Sequence, residues 1–317
     1  MRKNLFILHL FFLLFSINST TAQTAEEFYN QGIEALNSGN FKKALEAFSS
    51  ATKVNPSYAE AYNKLGVAYY YNGNNAAALN VYNQAIKLNP QLAEAYNNIG
   101  VIHFEQGEYQ KALDSYNQSL KIDATNPNTY LNRANVYGKQ KQHSLAIESY
   151  KQAIKYDGSN AYAYNQLGMA YFFLKNYEAS ISAFSNAVRI NPRDADAYQT
   201  MGDCYYYMTE YTKAVDLYEK ATKFKPNDIS LFSNLGNSYK KIGEYQKAIE
   251  CYSVVLKITP RNGNALLNMG TCYEMLGEDA QALVWYERAN LNYESLNAAQ
   301  KKMLDSSIAS LRKSVKK

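Results

Sequence analysis

The sequence predicts an all-α chain of short helical hairpins stacked one on the next, on three observations. A small residue recurs on a grid of 34: Gly32, Gly66, Gly100, Gly168, Gly202, Gly236 and Gly270, with Ala134 in the remaining slot. Between grid points, apolar side chains return at helical spacing in two separate runs. Each run closes on turn residues or on proline. A fixed period of this length without insertions marks a solenoid whose units pack only on their neighbours.

The first element, residues 1–22, does not share this pattern. Arg2 and Lys3 precede an apolar run from Leu5 to Ile17, and the small residues Ser19, Thr20, Thr21 and Ala22 follow. This is the order of a secretory signal peptide. Cleavage is expected near Ala22–Gln23, which places the mature chain outside the cytoplasm, periplasmic or secreted. The alternative is an uncleaved anchor. The run is shorter than the ~20 residues of a spanning helix, and no later stretch has the composition of a membrane span.

The repeat array occupies residues 23–294, in eight units that start near Ala25, Ala59, Ala93, Pro127, Ala161, Ala195, Ile229 and Gly263. Within a unit, slots 4, 7, 8 and 11 fall on one face of a first helix, which is the expected packed face. Slot 4 holds Phe28, Tyr62, Tyr96, Tyr130, Tyr164, Tyr198, Phe232 and Leu266; slot 11 holds Tyr in six units. A second helix carries Ala or Ser at slot 20 and an aromatic at slot 24, from Phe48 to Tyr286. Small residues at slots 8 and 20 let the two axes approach. Turns such as Gly39-Asn40 and Gly73-Asn74 divide the helices, and Pro56, Pro90, Pro192, Pro226 and Pro260 end most second helices. Residues 295–317 continue as a capping helix with an apolar stripe at Leu304, Ile308, Leu311 and Val315.

The order aromatic, Leu, Gly, Tyr, then Ala, aromatic, Ala, Pro resembles the tetratricopeptide repeat. The unit from Ala59 shows it in Tyr62, Leu65, Gly66, Tyr69, Ala78, Tyr82, Ala85 and Pro90. The resemblance covers roughly residues 25 to 294 and implies a right-handed α-solenoid that binds a protein or an extended peptide. It is similar to the repeat arms of O-linked GlcNAc transferases, without the catalytic domain that follows those arms. Two other roles remain open on the residues: an accessory arm recruiting a separate enzyme, and a self-associating structural protein.

Composition narrows the chemistry. Lys and Arg number 33 against 28 acidic residues; without Arg2 and Lys3, 31 basic residues remain. This weak, interspersed excess argues against nucleic acid. His103 sits in a slot that is Tyr elsewhere and His143 in an aromatic slot after a turn, so both read as packing residues. Cys204, Cys251 and Cys272 lack metal-ligand spacing and read as small buried thiols. Cys251 and Cys272 lie in neighbouring units, and whether they pair stays open. No catalytic constellation, metal site or cofactor motif is evident, and the expected function is non-catalytic.

The candidate binding surface is the side of each first helix opposite slots 4, 7, 8 and 11, which the resemblance places on the concave lining. Slot 6 there carries Asn30, Asn98, Asn132, Asn234 and Asn268, and slot 9 adds Asn135 and Asn237. An amide offers both a donor and an acceptor to a peptide backbone. Slots 12 and 13 offer Tyr70, Tyr71, Phe172, Phe173, Tyr206 and Tyr207 as aromatic anchors. The alternative is that the asparagines are solvated and the aromatics pack against neighbouring helices. Family members that grip chaperone C-termini use Lys at slot 5, where this chain has none, so it is not expected to be a carboxylate-clamp adaptor.

Overall fold

A computed structural model describes residues 23–314. The leader and Val315 lie outside the described residues. The helices are α1 (Ala25–Asn37), α2 (Phe41–Val54), α3 (Ala59–Tyr71), α4 (Asn75–Leu88), α5 (Ala93–Glu105), α6 (Tyr109–Ile122) and α7 (Pro127–Lys139). They continue as α8 (His143–Tyr156), α9 (Ala161–Phe173), α10 (Tyr177–Ile190), α11 (Ala195–Tyr207), α12 (Tyr211–Thr222) and α13 (Ile229–Lys241). The last are α14 (Tyr245–Ile258), α15 (Gly263–Met275), α16 (Asp279–Asn290) and, after a short 3-10 turn, α17 (Ala298–Ser314). The described residues are all-helical, a solenoid of hairpins with a terminal helix.

The chain divides into two compact units, one ending at Val136 and one beginning at Tyr137. In the first, α1/α2, α3/α4 and α5/α6 form hairpins, and α2 and α4 each also pack on the next hairpin's first helix. In the second, α9/α10, α11/α12, α13/α14 and α15/α16 repeat the arrangement, and α17 lies against α16. Leu304, Ile308 and Leu311 of α17 are buried there.

Side-chain caps start many of the helices. Thr24 and Glu27 form a reciprocal capping box at α1. Asn40, Asn74, Asn160, Asn176, Asp194, Asp228 and Asn262 each accept from the third backbone N–H that follows.

The core is built of rings seated on glycines. A Cβ added to Gly66 would lie 2.4 Å from the ring of Tyr82, and one on Gly202 would lie 2.7 Å from that of Tyr218. At Gly66 and Gly202 the seat therefore admits hydrogen only.

The buried face differs from the expected one. Slot 8 is buried as expected, and so is slot 7 except at Gln31 and Arg133, but the fully buried partners are slot 3 (Ala61, Ala95, Thr129, Ala163, Ala197, Leu231) and slot 10 (Ala68, Ile102, Val136, Ala170, Cys204, Ser238). The aromatics Tyr62, Tyr69, Tyr164 and Tyr171, in slots 4 and 11, are half-buried. Of these first helices, α3, α5, α9, α11 and α13 each have a second helix on either side, their own and the preceding one. The buried arc therefore centres on small residues and the rings close its edges.

Turn geometry separates the hairpins into two kinds. Gly39, Gly73, Gly107, Gly243 and Gly277 take positive φ after the first helix, but Lys141, Lys175 and Thr209 hold the same position at φ 59, 59 and 62°. A left-handed residue with a Cβ carries roughly 1–2 kcal/mol of strain, and Thr is β-branched as well. Thr209→Gly is expected to raise unfolding stability by about 1 kcal/mol, read as a higher urea midpoint at unchanged slope. No gain would mean the turn is already relaxed.

Candidate functional site

The first helices carry the candidate residues, and each unit arranges them separately. In the first unit, Asn98 Nδ2 donates to Asn63 Oδ1 at 3.2 Å, and Asn132 Nδ2 donates to Asn97 Oδ1 at 3.1 Å. Slot 6 of one hairpin thus bonds to slot 5 of the one before. Asn30 is exposed and Asn135 half-buried. Tyr70 donates its hydroxyl to Glu105, and burial with that bond pushes its pKa up to about 12. Tyr71 stacks on Phe41 with ring centroids 4.7 Å apart.

In the second unit the asparagines use a different partner slot. Asn234 Nδ2 donates to Asp203 Oδ1 at 3.1 Å, and Asn268 Nδ2 donates to Asn237 Oδ1 at 3.2 Å. Two core tyrosines join this row: Tyr218 donates to Asp203 at 2.6 Å and Tyr252 to Asn237 at 2.8 Å. Lys240 Nζ donates to Asn268 Oδ1 at 2.6 Å. Burial lowers the Lys240 pKa from its ordinary value, and no carboxylate among the described residues pairs with it.

Of these groups, Asn237, Lys240, Tyr252 and Asn268 open onto a cleft of about 780 Å³. Its lining includes Tyr206, Asn237, Lys240, Asn268 and Met275, and the chain beyond α16 closes one side with Ser295, Asn297 and Gln300. The amides of Asn98, Asn132, Asn234 and Asn268 are thus not simply solvated. A primary amide has two N–H groups, so each asparagine that bonds its neighbour keeps one for a ligand.

The aromatic pairs split in two. Tyr71, Phe173 and Tyr207 are 57, 57 and 59% exposed, whereas Tyr70, Phe172 and Tyr206 are half-buried. The expectation of fully exposed pairs is corrected: one helical step of 100° turns slot 12 toward the adjacent hairpin and leaves slot 13 outside. The exposed member stacks on the first residue of the preceding second helix. Phe173 lies on His143 at 4.9 Å and Tyr207 on Tyr177 at 5.6 Å, and Phe172 meets both Tyr177 and Tyr207 at about 6 Å. Lys241 extends this edge over the Tyr211 ring at 5.9 Å.

The structure therefore brings Asn234, Asn237, Asn268, Tyr206 and Tyr207 together, and Phe172 and Phe173 with Tyr207. Asn30, Asn98, Asn132, Asn135, Tyr70 and Tyr71 belong to the first unit. Sequence reasoning missed Asp203 and Lys240. Their signal was a departure from the repeat: a carboxylate where Ile33, Val67, Val101 and Met169 are apolar, and an ammonium where most units hold Leu, Tyr or Phe.

The remaining chemistry-bearing residues are packed. Cys204, Cys251 and Cys272 are free and buried, and burial raises their thiols to about 11, 12 and 11. His103 Nδ1 lies 2.6 Å from Glu108 Oε2. Among the described residues no group of three or more His, Cys, Asp or Glu side chains could hold a metal ion, and no helix is long and apolar enough to cross a membrane.

Family models described as "Tetratricopeptide repeat" match residues 64–127, 127–160, 159–227 and 217–250, and one described as "TPR repeat" matches 36–73 and 236–277. No curated protein matches the chain. Among solved structures, the MamA protein is similar at 32% identity over 52% of this chain and 90% of that one, with a TM-score of 0.51. YrrB, described as a TPR protein with an unusual peptide-binding site, is similar at 24% identity over 59% and 97%, TM-score 0.54. The C-terminal part of a TPR repeat-containing protein from Cytophaga hutchinsonii is similar at 18% over 76% and 99%, TM-score 0.62. The last two likenesses concern the fold alone.

Proposed function

The chain belongs to the tetratricopeptide repeat family, and from that premise we propose that it is a non-catalytic, exported scaffold holding an extended peptide or protein segment on its first helices. The fold itself implies protein–protein interaction. The observation that carries the finer reading is the cleft of about 780 Å³ over α11, α13 and α15, where amides keep spare hydrogen-bonding groups and a half-buried ammonium has no carboxylate. Charged groups held out of water without a counter-charge are costly unless a ligand supplies one. The aromatic edge of Phe173 and Tyr207 adds rigid apolar anchors beside it. Export rests on the leader, whose apolar run and small-residue end fit cleavage before Gln23.

The test uses the chain starting at Gln23 as bait in the extracytoplasmic fraction, with the captured protein identified by mass spectrometry and its affinity measured by calorimetry. Phe173→Ala combined with Tyr207→Ala is expected to weaken binding about tenfold or more, the scale of aromatic hot spots, at a nearly unchanged melting temperature. Unchanged affinity would place the partner on another face and refute the reading. Asn132→Ala with Asn234→Ala is a poorer probe, because both amides also tie adjacent hairpins together.

A further inference from the structure

Asp203 is a carboxylate set into a slot of α11 that is apolar in four other hairpins. Its surroundings are uneven. Oδ1 accepts both available bonds, from the Tyr218 hydroxyl at 2.6 Å and the Asn234 amide at 3.1 Å. Oδ2 accepts none among the described residues. The ion pairs nearest in sequence are Lys213 with Glu210 and Lys225 with Asp196, and none involves Asp203. Burial raises the Asp203 pKa from its ordinary value, and the two hydrogen bonds oppose that rise. When ionised, the group is supported by neutral donors and lacks a counter-charge.

A small pocket of about 110 Å³ adjoins this carboxylate, lined by Asp203, Tyr206, Tyr207, Tyr218, Asn234 and Asn237. Three phenol rings beside one carboxylate make a surface for a cation, since ring faces attract positive charge and the carboxylate supplies the opposite charge. The volume suits the tip of a side chain and not a whole ligand. A hard divalent metal needs six or more oxygen ligands, and this pocket offers a single carboxylate. Tyr206 and Asn237 also line the cleft of about 780 Å³, which leaves room for the segment bearing that side chain. Lys240 lines that cleft and not the small pocket, so a cation finds its favourable field at the Asp203 end.

We propose that the Asp203 pocket receives a lysine or arginine side chain of the bound segment and thereby selects partners with a basic residue at one fixed position; this rests on the peptide-binding reading above. A displayed library of random dodecapeptides, selected on the full chain, tests it. The enriched peptides are expected to share one Lys or Arg position. Replacing that residue with norleucine should weaken binding at least tenfold, read by fluorescence anisotropy. Asp203→Asn keeps an oxygen for Tyr218 and Asn234 but removes the charge, and should bind the Lys and norleucine peptides equally. Should that variant fail to fold, Tyr207→Ala removes one aromatic wall and should likewise reduce the preference. Enrichment of peptides with no basic position, or a preference that survives both variants, overturns the pocket assignment and leaves the groove intact. A library from which nothing enriches overturns the pocket and the groove together.

Discussion

Gly168→Leu is expected to lower unfolding stability by about 3 kcal/mol or more, near the top of the usual range for overpacking. A Cβ at this position would lie 2.7 Å from two ring carbons of Phe184, and both residues are buried between α9 and α10. The ring cannot retreat, because it fills the space that the glycine leaves. The helix must shift or the hairpin must open. Urea unfolding followed by circular dichroism reads the loss as a lower midpoint. Gly138→Ala is the internal control. There the nearest atom to an added Cβ is the Tyr150 hydroxyl at 3.7 Å, so alanine fits without strain. Helix propensity then favours the substitution by roughly 0.5–1 kcal/mol. If both substitutions have the same sign, seating of rings on glycines is not what fixes the hairpins.

Ending the chain after Glu294 is expected to destabilise the last hairpins by several kcal/mol. The cut removes Leu296, Leu304, Ile308 and Leu311, all buried, and uncovers the core packed beneath them. Each such side chain contributes about 1.5–3 kcal/mol of burial, an upper figure because the unfolded chain already hides part of that surface. It also removes the Tyr293–Asp305 and Arg312–Glu287 contacts, whose exposed setting gives them little weight. Hydrogen exchange should show faster amides in α15 and α16, fading through α14 and α13, since units in such arrays are held by nearest neighbours. A uniform acceleration across α9 to α16 would mean instead that the hairpins unfold as one cooperative block.

The division between what was legible in the chain and what was not follows from the range of the interactions. The 34-residue grid, the helix starts and the small residue at slot 8 are local or strictly periodic, so a reading of the chain exposes them. The same holds for Leu304, Ile308 and Leu311, whose spacing alone marks a buried stripe.

The binding surface is different in kind. A helical wheel gives the faces of an isolated helix, but the burial of each face depends on where the adjacent hairpins sit. That is why the aromatic pairs divide into a half-buried and an exposed member, and why the buried arc centres on slots 3 and 10. The sequence by itself determined the all-helical hairpin solenoid and the slots that its asparagines occupy. The tertiary structure alone decided that Asn234 reaches back 31 residues to Asp203 and Asn268 the same distance to Asn237. It alone left Asp203 and Lys240 without counter-charges, because a counter-charge is a matter of through-space neighbours and the chain brings those neighbours together only when the hairpins stack.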